Sequence, residues 1–342
     1  MKTIDKAKAT ISRIADGEQV AAIRNELAAD ENDWFRISAK AYSLHLQTAR
    51  KKQEEYKKKP NILCTSNEEI DQIFELNDKL ANFAVCLPTL ATKSDIRAAL
   101  FLLPRMPKSE SQLLLLLENM TLEPRIRALQ NIGRIRHFEA FKEFAHFVEA
   151  ATLCYYRGNY ASSYLTLVPV IEGIILRWYG YQGIGEKPEF EEIRKFFGSP
   201  HVRQPCPGNP LFHEVFCRAC HKIINDHLYK PSQRGKAHAE FNRHQASHLL
   251  RNTKFATQEN CIRLFLLLDT MAEIYLYETY CRDPRWDLKD EDTFPEVILY
   301  KALQIETALG NGPESILLRE GLHVGNPSLN MDAPPSGGAP VI

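Results

Sequence analysis

The chain has 342 residues, 44% hydrophobic and 25% charged, which suits one large or two medium globular domains. This composition excludes a collagen-like or wholly disordered protein. Lys and Arg together number 43, as do Asp and Glu, so the whole molecule has no net field that would draw it to nucleic acid or to a membrane. Any anion-binding surface must therefore be local.

The apolar stretches of the chain are short. Runs such as 113–117 and 264–268 fall far below the roughly 18 to 20 residues that span a bilayer, which predicts no membrane segment. The first residues contain no apolar h-region and no small-residue cleavage site, so we expect a cytoplasmic protein. The eight cysteines are then expected to be reduced thiols rather than a disulfide framework.

Helical periodicity dominates the sequence, and alternating β-branched runs are nearly absent, which predicts an all-α fold. The first helical segment extends to about Lys59 and is stopped by Pro60. Its terminal lysines complement the C-terminal end of a helix dipole, although they could also contact nucleic acid.

A capping-box pair, Ser66 and Glu69, predicts a helix that begins at Asn67 and continues to about Leu90. Prolines separate the shorter helices that follow. These are expected near 95–103, 109–120 and 124–135. We interpret residues 1–136 as a helical N-terminal region of unknown role.

The sequence becomes more apolar from residue 137, where its helical periodicity predicts two long apolar helices joined as an αα-hairpin. The first covers 137–157, Gly158 and Asn159 form the turn, and the second covers 160–180. These helices begin a second helical domain, which we expect to cover residues 137–310. The tail, 311–342, is expected to be poorly ordered.

Glu172 follows Pro169 in the second helix of this hairpin. Pro169 is expected to kink the helix, and the residues around Glu172 are apolar. A carboxylate in such surroundings needs a partner, and a cation such as Arg243 could supply one across the bundle.

Cys217 and Cys220 lie in a C-x-x-C-H pattern that ends at His221. The pattern matches covalent haem attachment, but that chemistry normally follows export. A zinc site that uses these two thiols with Cys206 or His213 is a second alternative. Because a second C-x-x-C pair is missing, we expect small buried residues on a helix, no metal and no cofactor.

A local basic zone lies between Lys222 and Lys254, which holds seven Lys or Arg against two acidic residues. Seven of the eleven histidines fall between His201 and His248. Within this zone, helical spacing would bring three polar side chains to one face, with Arg243 at its edge. These three are His244, His248 and Asn252.

This grouping suits cleavage of an RNA phosphodiester without a metal. One histidine can deprotonate the 2′-hydroxyl while another protonates the leaving 5′-oxygen. The arginine fork can stabilise the dianionic transition state. A metal site at His244 and His248 is disfavoured because the glutamate of H-E-x-x-H is missing.

Arg243 to His248 matches the R-polar-x-x-x-H motif of the HEPN superfamily, and Asn242 before it resembles the N-R-H-x-x-x-H form of many HEPN-like bacterial proteins. The hairpin resembles the first core hairpin of that family, and residues 253–277 resemble the long helix after the motif. The resemblance covers roughly residues 137–282. It implies a helical bundle of HEPN type preceded by the helical N-terminal region.

The resemblance also implies a function. Many HEPN domains are metal-independent ribonucleases of toxin, phage-defence or RNA-processing systems, and they usually dimerise so that two motifs share a cleft. It assigns Arg243 and His248 as the catalytic pair and His244 as the polar residue between them. Glu172, Asn242 and Asn252 would support the site, and an antitoxin or a sensor protein is an expected partner. Basic residues near the motif are expected to bind RNA: Lys236, Arg251 and Lys254.

A non-catalytic HEPN-like module that binds RNA or a protein remains the alternative function. In either case we expect a homodimer, because two helices carry more apolar surface than one small bundle needs. The residues predicted to be shared between the two protomers are Val168, Ile171, Ile174, Ile175, Trp178, Leu264, Leu267, Leu268 and Met271.

Overall fold

The computed structural model describes residues 2–59, 65–231, 235–244 and 255–310. These residues form thirteen α-helices joined by loops and short 3-10 and π turns, and they contain no β-strand. The predicted all-α fold class is therefore confirmed. The helices in chain order are α1 (Thr3–Ala15), α2 (Val20–Leu27), α3 (Glu31–Lys57), α4 (Asn67–Leu80), α5 (Lys93–Leu102), α6 (Glu110–Thr121), α7 (Pro124–Gln130), α8 (Ala145–Tyr156), α9 (Tyr160–Trp178), α10 (Phe190–Lys195), α11 (Pro210–Ile223), α12 (Gln258–Thr279) and α13 (Asp290–Ala308).

Side-chain caps define several of these helix starts. Ser66 and Glu69 form the predicted capping box at the start of α4, with each side chain bonded to the backbone N–H of the other residue. Asn159 caps α9 by accepting a hydrogen bond from the backbone N–H of Ser162. The preceding Gly158 has φ +75°, which glycine adopts without strain, and it allows the sharp turn between α8 and α9.

The segment before α8 differs from the long helix predicted over 137–157. The α-helix begins only at Ala145, after a tight turn and the 3-10 turn Lys142–Phe144. This turn seats the Phe144 ring against Gly173, where even a Cβ atom would collide with it. Close packing against α9 thus overrides the helical propensity of the segment.

The hydrophobic core surrounds α9 and α12, whose side chains are buried along most of their length. Contrary to the prediction of a surface shared between two protomers, the apolar residues of both helices pack within this chain. Val168 is 2% exposed, and the fully buried members of the set are Ile171, Ile174, Ile175, Leu264, Leu267, Leu268 and Met271. Trp178 is partly buried against the same core.

One continuous core extends from Leu76 to Leu303, so the predicted division at residue 136 does not coincide with a gap in the packing. Buried ion pairs also cross this position. Arg127 on α7 lies 2.8 Å from Asp269 on α12. A second, smaller cluster joins α2 and α3 through Ile23 and Trp34.

None of the helices within the described residues combines the length and the apolar character needed to cross a bilayer.

Candidate functional site

The predicted motif begins where the chain leaves the core. Phe241 is fully buried, and its ring centroid lies 6.1 Å from that of Tyr164 on α9. Arg243 and His244 follow in helical conformation. The anchored phenylalanine therefore fixes the point from which the two polar side chains project.

Asn242 is buried and makes three hydrogen bonds that shape this point. Its Nδ2 donates to the backbone oxygen of His227 at 3.0 Å and to that of Lys230 at 2.9 Å. Its Oδ1 accepts from the backbone N–H of His244 at 2.9 Å, as a helix N-cap does. Asn242 thus ties the start of the motif to the end of the π turn Ile224–Leu228.

Arg243 and Glu172 are in contact. Arg243 Nη2 lies 2.7 Å from Glu172 Oε2, and the two side chains are 31% and 12% exposed. Lys187 Nζ lies 3.2 Å from the other oxygen, Glu172 Oε1. Glu172 therefore contacts Arg243, the cation that the sequence suggested as its partner, and binds a second cation on its other oxygen.

Arg243 also lies beside two aromatic rings. Its guanidinium carbon is 5.5 Å from the ring centroid of Tyr229 and 5.6 Å from that of Phe190, within the range of cation–π attraction. A cleft of about 210 Å³ opens here. It is lined by Phe190, Leu228, Tyr229, Lys230, Pro231, Asn242, Arg243 and His244.

Tyr229 lies beneath the cleft and is 2% exposed. Within the described part of the chain, its buried hydroxyl has no hydrogen-bond partner. Burial raises the pKa of Tyr229, and the negative charge of Glu172 raises it further, so the hydroxyl keeps its proton. Because the hydroxyl is buried, it can donate only to an acceptor that reaches it beneath the cleft surface.

The backbone that leads to the motif is strained. Ala239 and Glu240 have φ of +48° and +56°, a region that non-glycine residues rarely occupy. Asn260 on α12 holds this backbone in place, because its Nδ2 donates to the carbonyl of Ala239 at 2.9 Å and to that of Phe255 at 3.0 Å. One side chain thus connects the two chain ends that flank positions 245–254.

Several predicted site residues lie outside the described residues: His248, Arg251, Asn252 and Lys254. Of the others, His244 and Lys236 are exposed. The structure brings Asn242, Arg243 and His244 to one cleft and places Glu172 against Arg243. The contact of Lys236 with this group is made by its backbone oxygen, which accepts a hydrogen bond from Lys230 Nζ at 3.0 Å.

The positive charge of the basic zone is less uniform than the sequence indicated, because carboxylates counter some of its cations. Lys222 lies 3.2 Å from Asp78 on α4, so its charge is countered away from the motif. The charge of Arg243 is partly countered by Glu172. Among the described residues of this zone, Lys230 lines the cleft beside Arg243, and neither Lys230 nor Lys236 forms a carboxylate ion pair within that part of the chain.

The cysteine pattern lies in the core rather than at a surface. All cysteines in the described ranges are free thiols. Cys217 and Cys220 are 2% and 0% exposed on α11, and such close packing gives no space for an attached porphyrin. Cys217 lies 3.5 Å from His213 Nε2.

Sequence reasoning missed three residues around Arg243 and Glu172. Phe190 belongs to α10, Tyr229 follows the π turn and Lys187 lies in the loop after α9, and no spacing rule relates them to Arg243. The only sequence signal was indirect: the apolar surroundings of Glu172 required a cation nearby.

Chemically, the cleft combines a fixed guanidinium, an exposed imidazole, an ammonium group and aromatic faces. Such a set can hold a phosphate group and stack a base. Neither a protein-family model, nor a curated protein, nor a solved structure matches this chain in the comparisons made.

Proposed function

We propose that the protein is a metal-independent endoribonuclease of HEPN type. Arg243 stabilises the negative charge that develops on the phosphate, and His248 acts as general base or acid with His244 as its counterpart. The observation that carries the proposal is the pairing of Arg243 with Glu172 at the mouth of an aromatic cleft. The burial of Glu172 requires a cation nearby, but it does not require that cation to lie at a cleft lined by aromatic rings.

The pairing suits the proposed role because Glu172 contacts one terminal nitrogen of the guanidinium. Within the described part of the chain, Glu172 is the carboxylate that pairs with Arg243, so the remaining N–H groups of Arg243 can bind phosphate oxygens, and the side chain is partly exposed. A guanidinium held from one side needs little reorganisation when charge develops beside it.

The aromatic lining supports RNA as the substrate class. Single-stranded RNA is recognised through unstacked bases that pack against aromatic rings and arginine planes. Phe190 is 44% exposed and lies beside Arg243 in the cleft, so a base next to the bound phosphate could reach its ring.

The alternative is a non-catalytic module that binds RNA or a protein partner. The observation that favours it is the same ion pair, because a carboxylate within 2.7 Å offsets the positive charge that a phosphate would meet. Binding through Lys230 and Lys236 would not need the histidines.

Cleavage of mixed RNA by the purified full chain in the presence of EDTA separates the two functions. We expect metal-free cleavage by the wild-type protein, at least tenfold slower cleavage by Arg243→Lys because the bidentate fork is lost, and none by His248→Gln. His146→Gln, which changes an exposed histidine on α8, is the matched control and should be fully active. RNA binding without cleavage would support the module.

A two-fold dimer is part of the proposal, because two motifs that share a cleft would double the positive charge facing one backbone. Its interface must involve surfaces other than α9 and α12, whose apolar residues are buried within the chain. Light scattering should give about twice the chain mass, and cleavage should weaken on dilution. A fully active monomer would contradict the shared cleft.

We further propose that the enzyme belongs to a toxin or phage-defence system and is controlled by an antitoxin or a sensor protein. Free ribonuclease activity would harm the cell that makes it, so a partner that covers Arg243 is expected. Co-expression with the products of neighbouring genes tests this expectation, since one of them should suppress cleavage.

A further inference from the structure

A second group of chemically reactive side chains lies in the core between α11 and α12, away from the Arg243 cleft and sharing no residue with it. His213 and Cys217 stand one helical turn apart on α11, and Glu278 lies in the last turn of α12. His213 Nε2 is 3.1 Å from Glu278 Oε1 and 3.5 Å from Cys217 Sγ. One nitrogen, one sulfur and one oxygen thus lie within 4.8 Å of one another.

The distances suit a metal ion of small radius. Zinc bonds of roughly 2.0 to 2.3 Å in a tetrahedral arrangement place neighbouring ligand atoms about 3.3 to 3.8 Å apart. The distances from His213 Nε2 to Glu278 Oε1 and to Cys217 Sγ lie close to that range. We infer that His213, Cys217 and Glu278 bind one zinc-class divalent ion, with the fourth position taken by a solvent-derived ligand.

The surroundings orient the histidine for this role. The Tyr42 hydroxyl lies 2.9 Å from His213 Nδ1, on the side of the ring opposite Cys217 and Glu278. A hydroxyl can donate or accept, so it can pair with either tautomer of the imidazole. When it accepts from Nδ1–H, the Nε2 lone pair faces the thiol and the carboxylate, which is the arrangement found around metal-bound histidines.

Arg203 sets the charge of the site. Its Nη2 lies 2.7 Å from Glu278 Oε1 and its Nε lies 3.2 Å from Oε2, which keeps the carboxylate ionised and fixes its plane. A divalent ion with one thiolate, one carboxylate and this guanidinium leaves one net positive charge in the core. That excess favours hydroxide or another small anion as the fourth ligand.

An entry path also exists. Arg203 and Glu278 both line a pocket of about 710 Å³ formed with residues of α2, α9 and α12. All three ligands are buried, but the Glu278 side chain is 5% exposed at this pocket, so an ion can enter on the side of the carboxylate. On binding, the Cys217 thiol loses its proton to solvent and the resulting thiolate coordinates the ion.

The inferred ligands differ from the C-x-x-C-H pattern of the sequence. Cys220 is as deeply buried as Cys217, but it does not belong to the cluster. It lies three residues further along the same helix, so Cys220→Ala is a control matched in residue type, burial and element.

The test uses the purified full chain, stripped with EDTA, dialysed and titrated with Co²⁺. We expect one equivalent to bind, with the visible bands of a four-coordinate ion and a sulfur-to-cobalt charge-transfer band that added Zn²⁺ removes. Cys217→Ala should lose the charge-transfer band and at least tenfold in affinity, and Glu278→Gln should lose at least tenfold in affinity while keeping the band. Cys220→Ala should bind as the wild-type protein does.

X-ray absorption of the zinc-loaded wild-type protein tests the ligand set without any variant, so it is decisive even if a substitution prevents folding. One sulfur and two or three nitrogen or oxygen ligands are expected. No stoichiometric binding, a count of zero or two sulfurs, or an unchanged charge-transfer band in Cys217→Ala would overturn the site. The three side chains would then form only a buried hydrogen-bond network. RNA cleavage in EDTA is measured separately, so failure of either proposal leaves the other intact.

Discussion

Glu172 shows how a carboxylate is accommodated on an otherwise apolar helix face. Its two oxygens bind Arg243 and Lys187, and the side chain is 12% exposed. A partly buried charge is stable only with such partners. The same contacts fix the direction of Arg243, so a residue that satisfies a local electrostatic need also orients the proposed phosphate-binding group.

Replacing Glu172 tests this orienting role. In Glu172→Gln, Arg243 loses its ion pair, and we expect RNA cleavage in EDTA to fall about tenfold, equivalent to about 1.4 kcal/mol. RNA affinity should not fall, because the substitution removes a negative charge beside the phosphate site. Glu143→Gln is the control, since it breaks the ion pair of Glu143 with Arg177 on α9. Unchanged cleavage in Glu172→Gln would remove Glu172 from the mechanism.

Removal of the Tyr229 hydroxyl tests whether this group is unpaired in the folded protein and whether it contacts RNA. The Tyr229 hydroxyl has no partner among the residues that the structure describes, and a buried unpaired hydroxyl costs stability, so Tyr229→Phe should unfold at the same or higher denaturant concentration than the wild-type protein. If the hydroxyl contacts RNA, affinity should fall about threefold to tenfold, the range of one lost hydrogen bond.

Tyr300→Phe is the matched comparison for Tyr229→Phe. The Tyr300 hydroxyl donates to Glu149 at 2.7 Å, so its removal should destabilise the protein by about 1 kcal/mol and leave RNA affinity unchanged. Destabilisation of a similar size in Tyr229→Phe would show that the Tyr229 hydroxyl has a structural partner.

At the scale of elements, the first turn of α12 holds the strained backbone before the motif. Asn260→Ala removes the bonds to the carbonyls of Ala239 and Phe255 and leaves both without that donor. We expect a loss of about 2 kcal/mol in the free energy of unfolding. Hydrogen exchange should accelerate at 237–244, whereas α9 should remain protected.

Asn25→Ala, which changes an exposed residue of α2, is the control for Asn260→Ala and should alter neither quantity. Equal acceleration of exchange throughout the molecule would contradict a local stabilising role for Asn260, because it would indicate global destabilisation.

The helices themselves were largely predictable because their signals are local. The capping box of Ser66 and Glu69 and the turn at Gly158 depend on neighbouring residues, and both form as expected. Residues 137–144 were mispredicted because their conformation depends on distant rings. Phe138 and Phe141 lie 5.2 and 5.5 Å from the ring of Tyr275, a contact that helical periodicity cannot reveal.

The candidate site was predictable only in part, for the same reason. The motif located Arg243, and burial arguments indicated that Glu172 needed a cation. Tyr229 and Phe190 could not be identified, because they meet Arg243 only after α10 and the π turn pack beside α9. The buried cluster around His213 could not be predicted from the sequence either, since Glu278 lies 65 residues from His213 along the chain.

At the scale of the whole molecule, the N-terminal helices and the predicted HEPN-like domain share polar contacts as well as a core. Arg127 pairs with Asp269, and Arg134 pairs with Glu273 and Asp283, all with little exposure to solvent. Breaking such buried pairs is costly, so the two parts are expected to unfold together.

His227 is another contact between these parts, and it makes stability depend on pH. Its Nε2 lies 3.0 Å from the carbonyl of Ala81, and its Nδ1 accepts a hydrogen bond from the backbone N–H of His238 at 3.4 Å. The ring is therefore neutral, with its proton on Nε2, and protonation of Nδ1 would remove the acceptor. Burial lowers the pKa of His227 to about 4, although the bond to Ala81 opposes this shift.

The sign of the pH effect follows from the two pKa values. The unfolded chain binds a proton near pH 6.5 and the folded chain only near pH 4, so His227 contributes its full stabilisation above pH 6.5. We expect the free energy of unfolding to fall between pH about 6.5 and about 4, with at most about 3 kcal/mol from this residue. Urea unfolding at pH 7.5, 5.5 and 4.5 measures the decline. His227→Gln, which retains a donor for Ala81 and an acceptor, should make this decline shallower without abolishing it, because other, partly buried histidines have lowered pKa values too. An equally steep decline in the variant would assign the acid sensitivity to those residues instead.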